Sequence, residues 1–499
     1  MSELKTKTVT SVRWTTLNTI STTVINFVQI AVLARLLDPK AFGLIAIANL
    51  IFGYARVFLD MGLSSAIIQR PNPNKAELST LYWINVLTGL LIYGVIVLIT
   101  PFATSLFEVE ELQSLLPVIG LSFLISAFST QFSVLLRKYL RFDVITKINI
   151  YCSLFVMTIT IYLAWKGYGV WSIVYGSLSG TFLHSVALIF WAGKNNCLPG
   201  LHFKFSDTKG YIKFGLYLVG AMLVNQFNIR VDQLIIGLLL GPTSLGYYNI
   251  ASNLVLRPIQ RLNPILTKVA FPIFSIIQND APRLKKGFLE MMRILMSINS
   301  PVLIGLATVA PGAVLLILGE KWLPAVPIVQ ALAFFSLVRS AVNASGSLLI
   351  AKGKANWTLY WNLVLAAIIP PVIYIASLRG ELFYIAIAMV VMQVIIWYAH
   401  YFIFIRNLIG PCFFEYLEIA IKPILLSFIM SAILLQASYV LTGLSEIGKL
   451  LMQVVIGIFV YGILCWIFQK QILHRFFEFF LDIFPGNKIL KRLTNMSSI

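Results

Sequence analysis

Residues 36–49 read LLDPKAFGLIAIAN, and residues 239–252 read LLGPTSLGYYNIAS. Six positions are identical across the two stretches: Leu36 and Leu239, Leu37 and Leu240, Pro39 and Pro242, Gly43 and Gly246, Ile47 and Ile250, Ala48 and Ala251. Each copy joins the end of one apolar segment to the start of the next through a proline-marked turn. A match this short gains meaning only from the segments around it.

Those segments are built for lipid. Of 499 residues, 59% are hydrophobic and 11% charged, with a mean hydropathy of +0.87. Soluble domains are closer to half apolar and a quarter charged. Apolar runs long enough to cross about 30 Å of hydrocarbon recur along the chain. Only helices or a closed barrel satisfy the backbone there. Barrel strands alternate polar and apolar residues, whereas INVLTGLLIYGVIVLIT (84–100) does not alternate. The spans are therefore expected to be helices, near 11–36, 41–68, 78–101, 112–137, 145–166, 168–193, 209–238, 243–270, 285–308, 323–350, 356–378, 381–406, 416–441 and 446–470.

This makes an all-α polytopic membrane protein with about fourteen transmembrane helices. The repeat divides it into an N-lobe, 1–193, a cytoplasmic linker, 194–208, and a C-lobe, 209–408. Two more helices follow over 409–473. Each copy of the repeated stretch sits at the turn between the first and second helix of a six-helix set. Six spans restore the starting side, so the lobes form a parallel repeat about an axis along the membrane normal. Parallel repeats of this kind are a transporter design.

The formal charge of +19 would suggest nucleic acid in a soluble protein. Here most Lys and Arg fall on connections of one side, which sets topology rather than a nucleic-acid partner. Both termini are placed in the cytoplasm. The loop of Glu108, Glu110 and Glu111 then lies outside, and Arg283–Lys286 inside. The tail, 474–499, belongs to a basic amphipathic stretch, QKQILHRFFEFFLDIFPGNKILKRL (469–493), expected on the inner membrane surface. The opening, MSELKTKTVTSVRW, shows no short apolar core with a cleavage site, so no cleaved signal is expected. Cys152, Cys197, Cys412 and Cys465 are scattered and read as apolar packers. No connection is long enough for a soluble catalytic domain.

Charged residues inside spans are costly and mark cavities or partners. YARVFLDMG (54–62) carries Arg56 and Asp60 one turn apart. Arg56 projects through the repeat onto RPIQRLN (257–263), which holds Arg257, Gln260, Arg261 and Asn263. Arg257 and Arg261 share one helix face, where like charges repel. A visiting anion would relieve that repulsion. Arg339 is a further candidate, and Arg230 with Asp232 lies on the seventh helix. The guanidinium fork suits phosphate oxygens, so Arg56, Arg257, Arg261 and Arg339 are the expected diphosphate ligands. The competing structural reading makes Arg56–Asp60 a salt bridge and lets Arg257 and Arg261 snorkel to the surface.

Asn18, Asn26 and Gln29 on the first helix, Asn225 and Asn228 on the seventh, and Gln260 on the eighth are expected to line a wet, glycan-accepting cavity. Helix-to-helix hydrogen bonding is the equal alternative for such residues. Asp60 and Asp232 are candidate sites for coupling to a proton or sodium gradient. No metal site and no organic cofactor are expected.

Several stretches carry a family resemblance: LARLLDPKAFGL (33–44), GLSSAIIQR (62–70), LSTLYWINV (78–86), LPGLHF (198–203), LNPILTKVAFPIFSIIQND (262–280), LGEKW (318–322) and GSLLIAKGK (346–354). The run VDQLIIGLLLGPTSLGYYNIA (231–251) is a broader mark. From about residue 5 to 410 the chain resembles the Wzx-type polysaccharide flippases of the multidrug/oligosaccharidyl-lipid/polysaccharide exporter superfamily, in the colanic acid exporter-like branch. The resemblance implies two six-helix lobes in an inverted V plus two C-terminal helices. It implies carriage of undecaprenyl-diphosphate-linked oligosaccharide units, for exopolysaccharide, a colanic acid-like polymer or O-antigen, across a bacterial inner membrane by alternating access. A polysaccharide polymerase, export machinery and membrane lipid would be the neighbours. Two other readings stand beside it. One is a cation-coupled multidrug exporter on the same scaffold, which favours acidic, aromatic cavities. The other is a membrane glycosyltransferase or polymerase, which needs a larger outer loop.

Overall fold

The computed structural model describes residues 2–60, 67, 74–204 and 209–470, and every regular element among them is helical. In order these are α1 (Ser2–Leu36), α2 (Pro39–Asp60), α3 (Lys75–Phe107), α4 (Leu112–Ala127), α5 (Thr130–Lys138), α6 (Phe142–Trp165), α7 (Val170–Lys194) and α8 (Lys209–Leu239). There follow α9 (Gly241–Ile276), α10 (Ala281–Ile317), α11 (Val326–Ala351), α12 (Ala355–Ser377), α13 (Leu382–His400), α14 (Phe413–Val440) and α15 (Glu446–Phe468). Beyond α13 the chain continues through a π-helical turn, Tyr401–Ile405. Among the described residues, eleven helices are long and apolar enough to cross a membrane, or twelve with α4 and α5 as one bent span. The protein is a multi-pass membrane protein. Helices α8 and α9, parts of which lie outside the described side chains, are not among that set. The expected tail, 474–499, lies outside the described residues.

Local chemistry sets the ends. Asn74 and Glu77 form a reciprocal capping box at the start of α3, which satisfies two orphan donors at once. The Asp280 side chain accepts from the backbone N–H of Arg283 at the start of α10, and Ser445 does the same for Gly448 at α15.

The sequence suggests one span over 112–137, but the structure bends it by 44° between α4 and α5. The cause is a run of hydroxyls. Ser129 and Thr130 both bond the Ser126 carbonyl, at 3.2 and 2.8 Å. Such side chains compete with the helical ladder and loosen it. Ser129 also meets Ser185 of α7 at 2.9 Å in a buried setting, which fixes the break.

The chain separates into two compact units, residues 1–249 with 365–370, and residues 250–364 with 371–499. In the first unit α3 packs on α4, α6 on α1 and α7, and α2 on α4 and α8. The α6–α7 crossing rests on Gly176 and Gly180, a small-xxx-small pair that lets helices approach closely. A Cβ at Gly176 would lie 1.9 Å from Thr160 Oγ1, and one at Gly180 2.1 Å from Val156 Cγ2.

The two copies of the repeated stretch meet within this unit. A Cβ on Gly43 would lie 1.7 Å from the Pro242 carbonyl oxygen; one on Gly246 would lie 2.1 Å from the Pro39 carbonyl oxygen. Gly43 and Gly246 are repeat partners, as are Pro39 and Pro242. The contact is therefore reciprocal, as across a two-fold axis. Backbone meets backbone, which only glycine permits. Nearby, Lys40 pairs with Glu111 at the start of α4 and holds its carboxyl below the usual range. Both groups are exposed, so the pair adds little stability.

In the second unit α10 packs on α11, α14 and α15, with α11 on α13. Pro301 and Pro311 lie inside α10. Asn299 donates to Asn263 of α9 at 2.9 Å, both buried. Tyr461 of α15 donates to the Ser297 carbonyl at 2.9 Å.

Candidate functional site

Among the described residues, charged side chains of two helices come together where α2 meets α8. Gly53 of α2 makes the approach possible: a Cβ there would sit 2.1 Å from Gln226 Nε2 and 3.3 Å from Arg230 Nε. With glycine present, both long side chains of α8 lie against the α2 backbone. Arg230 Nη1 donates to Gln233 Oε1 at 3.2 Å. Its Nε is buried with no acceptor among the described residues. The Tyr248 hydroxyl donates to Asp232 Oδ2. Arg230 lies within electrostatic reach of Arg56, Asp232 and Tyr54.

Two guanidinium groups, Arg56 exposed and Arg230 half-buried, thus share one neighbourhood with the carboxylate of Asp232. That carboxylate is already engaged by a tyrosine. Guanidinium groups on a half-buried surface suit an anion with several oxygens. Arg230, beside Asp232 in the sequence, is not among the expected phosphate ligands. Its signal was present in the glycine three residues before Arg56, which becomes readable only once α8 is known to cross there.

The other expected ligands belong to the second unit. Arg257 of α9 is exposed, and its Nε donates to Asn253, one turn back, at 3.1 Å. Arg339 of α11 is exposed and stands 5.8 Å from the Phe335 ring centre. Gln260 is exposed. The side chains of Arg261 and Asp60 lie outside the described residues, so the expected Arg56–Asp60 pair does too.

The polar face of α1 is used in part for packing. Asn149 of α6 donates to Asn18 Oδ1 at 3.2 Å, and His184 of α7 meets Asn149 Oδ1 at 3.3 Å. This is a hydrogen-bonded chain across three helices. The hydroxyls of Thr15, Thr22 and Thr23 bond backbone carbonyls of their own helix. Asn26 and Asn225 are exposed; Gln29 and Asn228 are half-buried.

Comparison with known proteins gives the context. The profile of the family described as "Polysaccharide biosynthesis protein" matches residues 32–327. A membrane protein from the cps region of Klebsiella pneumoniae is 30% identical over 472 residues, 94% of this chain and 97% of its own length. The lipopolysaccharide biosynthesis protein WzxC of Escherichia coli K12 is 30% identical over 441 residues, 88% of each chain. Among solved structures, the lipid II flippase MurJ in an inward closed conformation superposes with a TM-score of 0.70 at 18% identity, covering 92% of this chain and 99% of that one. The fold is shared with that protein.

Proposed function

Because the chain belongs to the polysaccharide biosynthesis protein family, we propose that it carries undecaprenyl-diphosphate-linked oligosaccharide units from the inner to the outer leaflet of a bacterial inner membrane. It is a membrane transporter of polysaccharide biosynthesis and not an enzyme. In this reading fourteen spans form two six-helix lobes in an inverted V with two C-terminal helices, and both termini are cytoplasmic. Translocation proceeds by alternating access. The delivered units pass to a polysaccharide polymerase and export machinery.

The observation that supports this reading best is the pair of guanidinium groups, Arg56 and Arg230, within reach of one another and of Asp232. A diphosphate is too polar to cross hydrocarbon alone, and guanidinium groups replace its hydration. Each charge-assisted hydrogen bond of this kind is worth about 1.5–3 kcal/mol. Arg257, Arg261 and Arg339 are proposed as further phosphate contacts during the cycle. Asn26, Gln29, Asn225, Asn228 and Gln260 are proposed to offer amides to the glycan, with Asn18 held by its neighbours at the edge of that lining. Asp60 and Asp232 are proposed to couple the step to a proton or sodium gradient. A multidrug exporter for cations would present acids where this cluster presents two guanidinium groups.

The test is translocation of a fluorescent undecaprenyl-diphosphate oligosaccharide in proteoliposomes, read by access of an external quencher. The combined Arg56→Ala and Arg230→Ala variant should move it about a thousandfold more slowly, from two lost contacts of roughly 2 kcal/mol each. Translocation at the wild-type rate by a correctly inserted double variant would remove the diphosphate role.

A further inference from the structure

Three helices of the second unit line a half-open cavity of about 380 Å³. Arg293 of α10, Lys422 of α14 and Lys470, just past α15, all line it. Glu418 lines it too, and Glu290 stands 3.9 Å from Arg293 on the same helix. Cations outnumber acids inside the cavity by three to one. Lys422 has no ion-pair partner among the described residues. Gln469 forms part of the wall, buried and fixed because its Oε1 accepts from the Ser297 hydroxyl at 3.3 Å. α15 is tied to α10 there, so the wall is built rather than incidental.

The position of the cavity along the helices identifies the medium it faces. Beyond Lys422, the rest of α14, Pro423–Val440, covers about 27 Å at 1.5 Å per residue, close to the hydrocarbon thickness. α15 ends at Phe468, immediately before Gln469 and Lys470. The cations therefore stand at the level where hydrocarbon gives way to headgroups. Ile467 and Phe468 line the cavity and remain exposed. Lys470 stands 5.7 Å from the Trp466 ring centre, and tryptophan is an interfacial anchor. Cations around a cavity, with apolar side chains toward the membrane centre, match a phosphate that carries acyl chains.

We infer that this cavity binds the phosphate of an anionic membrane phospholipid, held by Arg293, Lys422 and Lys470, with its chains along Ile467 and Phe468. Phosphate chemistry is shared by a lipid headgroup and free phosphate. The apolar margin favours the lipid, because inorganic phosphate gains nothing from it. The site is separate from the Arg56–Arg230 cluster and does not depend on what that cluster carries.

The experiment uses the full-length chain in phospholipid-free detergent, titrated with phosphatidylglycerol or phosphatidylcholine and read by native mass spectrometry. Wild type should retain phosphatidylglycerol in preference to phosphatidylcholine. At roughly fivefold per lost cation, Arg293→Gln with Lys422→Gln should weaken phosphatidylglycerol binding about 25-fold. The charge-keeping pair Arg293→Lys with Lys422→Arg should hold it near wild type. Lys422 is exposed, so Lys422→Gln alone, with about a fivefold loss, carries the test if the pair fails to fold. Equal phosphatidylglycerol retention by the Gln variants and wild type would overturn the site. Displacement of the lipid by excess inorganic phosphate would overturn its assignment to a lipid.

Discussion

Arg230 and Arg257 are both arginines of apolar helices, yet their surroundings differ. Arg230 is half-buried against another helix, beside a glycine of α2 that leaves room for it. Arg257 is exposed and bonded one turn back on its own helix. The first position depends on tertiary packing; the second contact forms wherever a helix places Asn and Arg four residues apart. A charge that two helices cooperate to hold in an apolar setting is costly to keep without a purpose. An exposed charge with a local partner costs little and signifies less. The comparison therefore ranks the arginines, which type and depth along the sequence do not.

The sharpest way to break the ranking is to remove the two groups separately. Arg230→Ala should slow translocation of the lipid-linked oligosaccharide by about 30-fold, the loss of roughly 2 kcal/mol. Arg257→Ala, measured in the same proteoliposomes, should cost about fivefold. Equal losses would show that exposure does not separate them.

A smaller effect probes how Arg230 is held. Gly53→Ala places a methyl group against the end of Gln226 and presses on Arg230. The obstacle is the end of a flexible side chain, so the fold should survive. A cost of about 1 kcal/mol should appear as roughly fivefold slower translocation with a nearly unchanged melting temperature. A wild-type rate would show that the α2–α8 approach does not position the guanidinium.

Much of the helical order was readable because each apolar run exceeds what a soluble core helix needs. The break at Ser129 was not, because two hydroxyls choosing one local carbonyl leave the apolar pattern intact. The repeat was visible as six identities. That Gly43 and Gly246 press reciprocally on the opposite copy's proline carbonyl was not, since identity reveals equivalence but not contact. At the site, Arg56 and Asp232 stood out as charges in apolar runs. Arg230 did not join them in the reading, because repeat projection pairs Arg56 with the helix of Arg257, whereas packing pairs it with α8. On α1 the residue types suggested a wet lining. Asn18 takes part in a helix-to-helix bond, the alternative the residue types left equally open, and several threonines bond their own backbone. A side chain's polarity is visible in sequence; the partner it chooses is set in space.

The most direct measurement is calorimetric binding of a short-chain isoprenyl diphosphate to the purified full-length protein, compared with Arg230→Ala and Arg230→Lys. Arg230→Ala should raise Kd about 30-fold. Arg230→Lys should recover part of that loss, because a point charge replaces a fork of donors. An unchanged Kd in Arg230→Ala would contradict a diphosphate role for the cluster at α2 and α8.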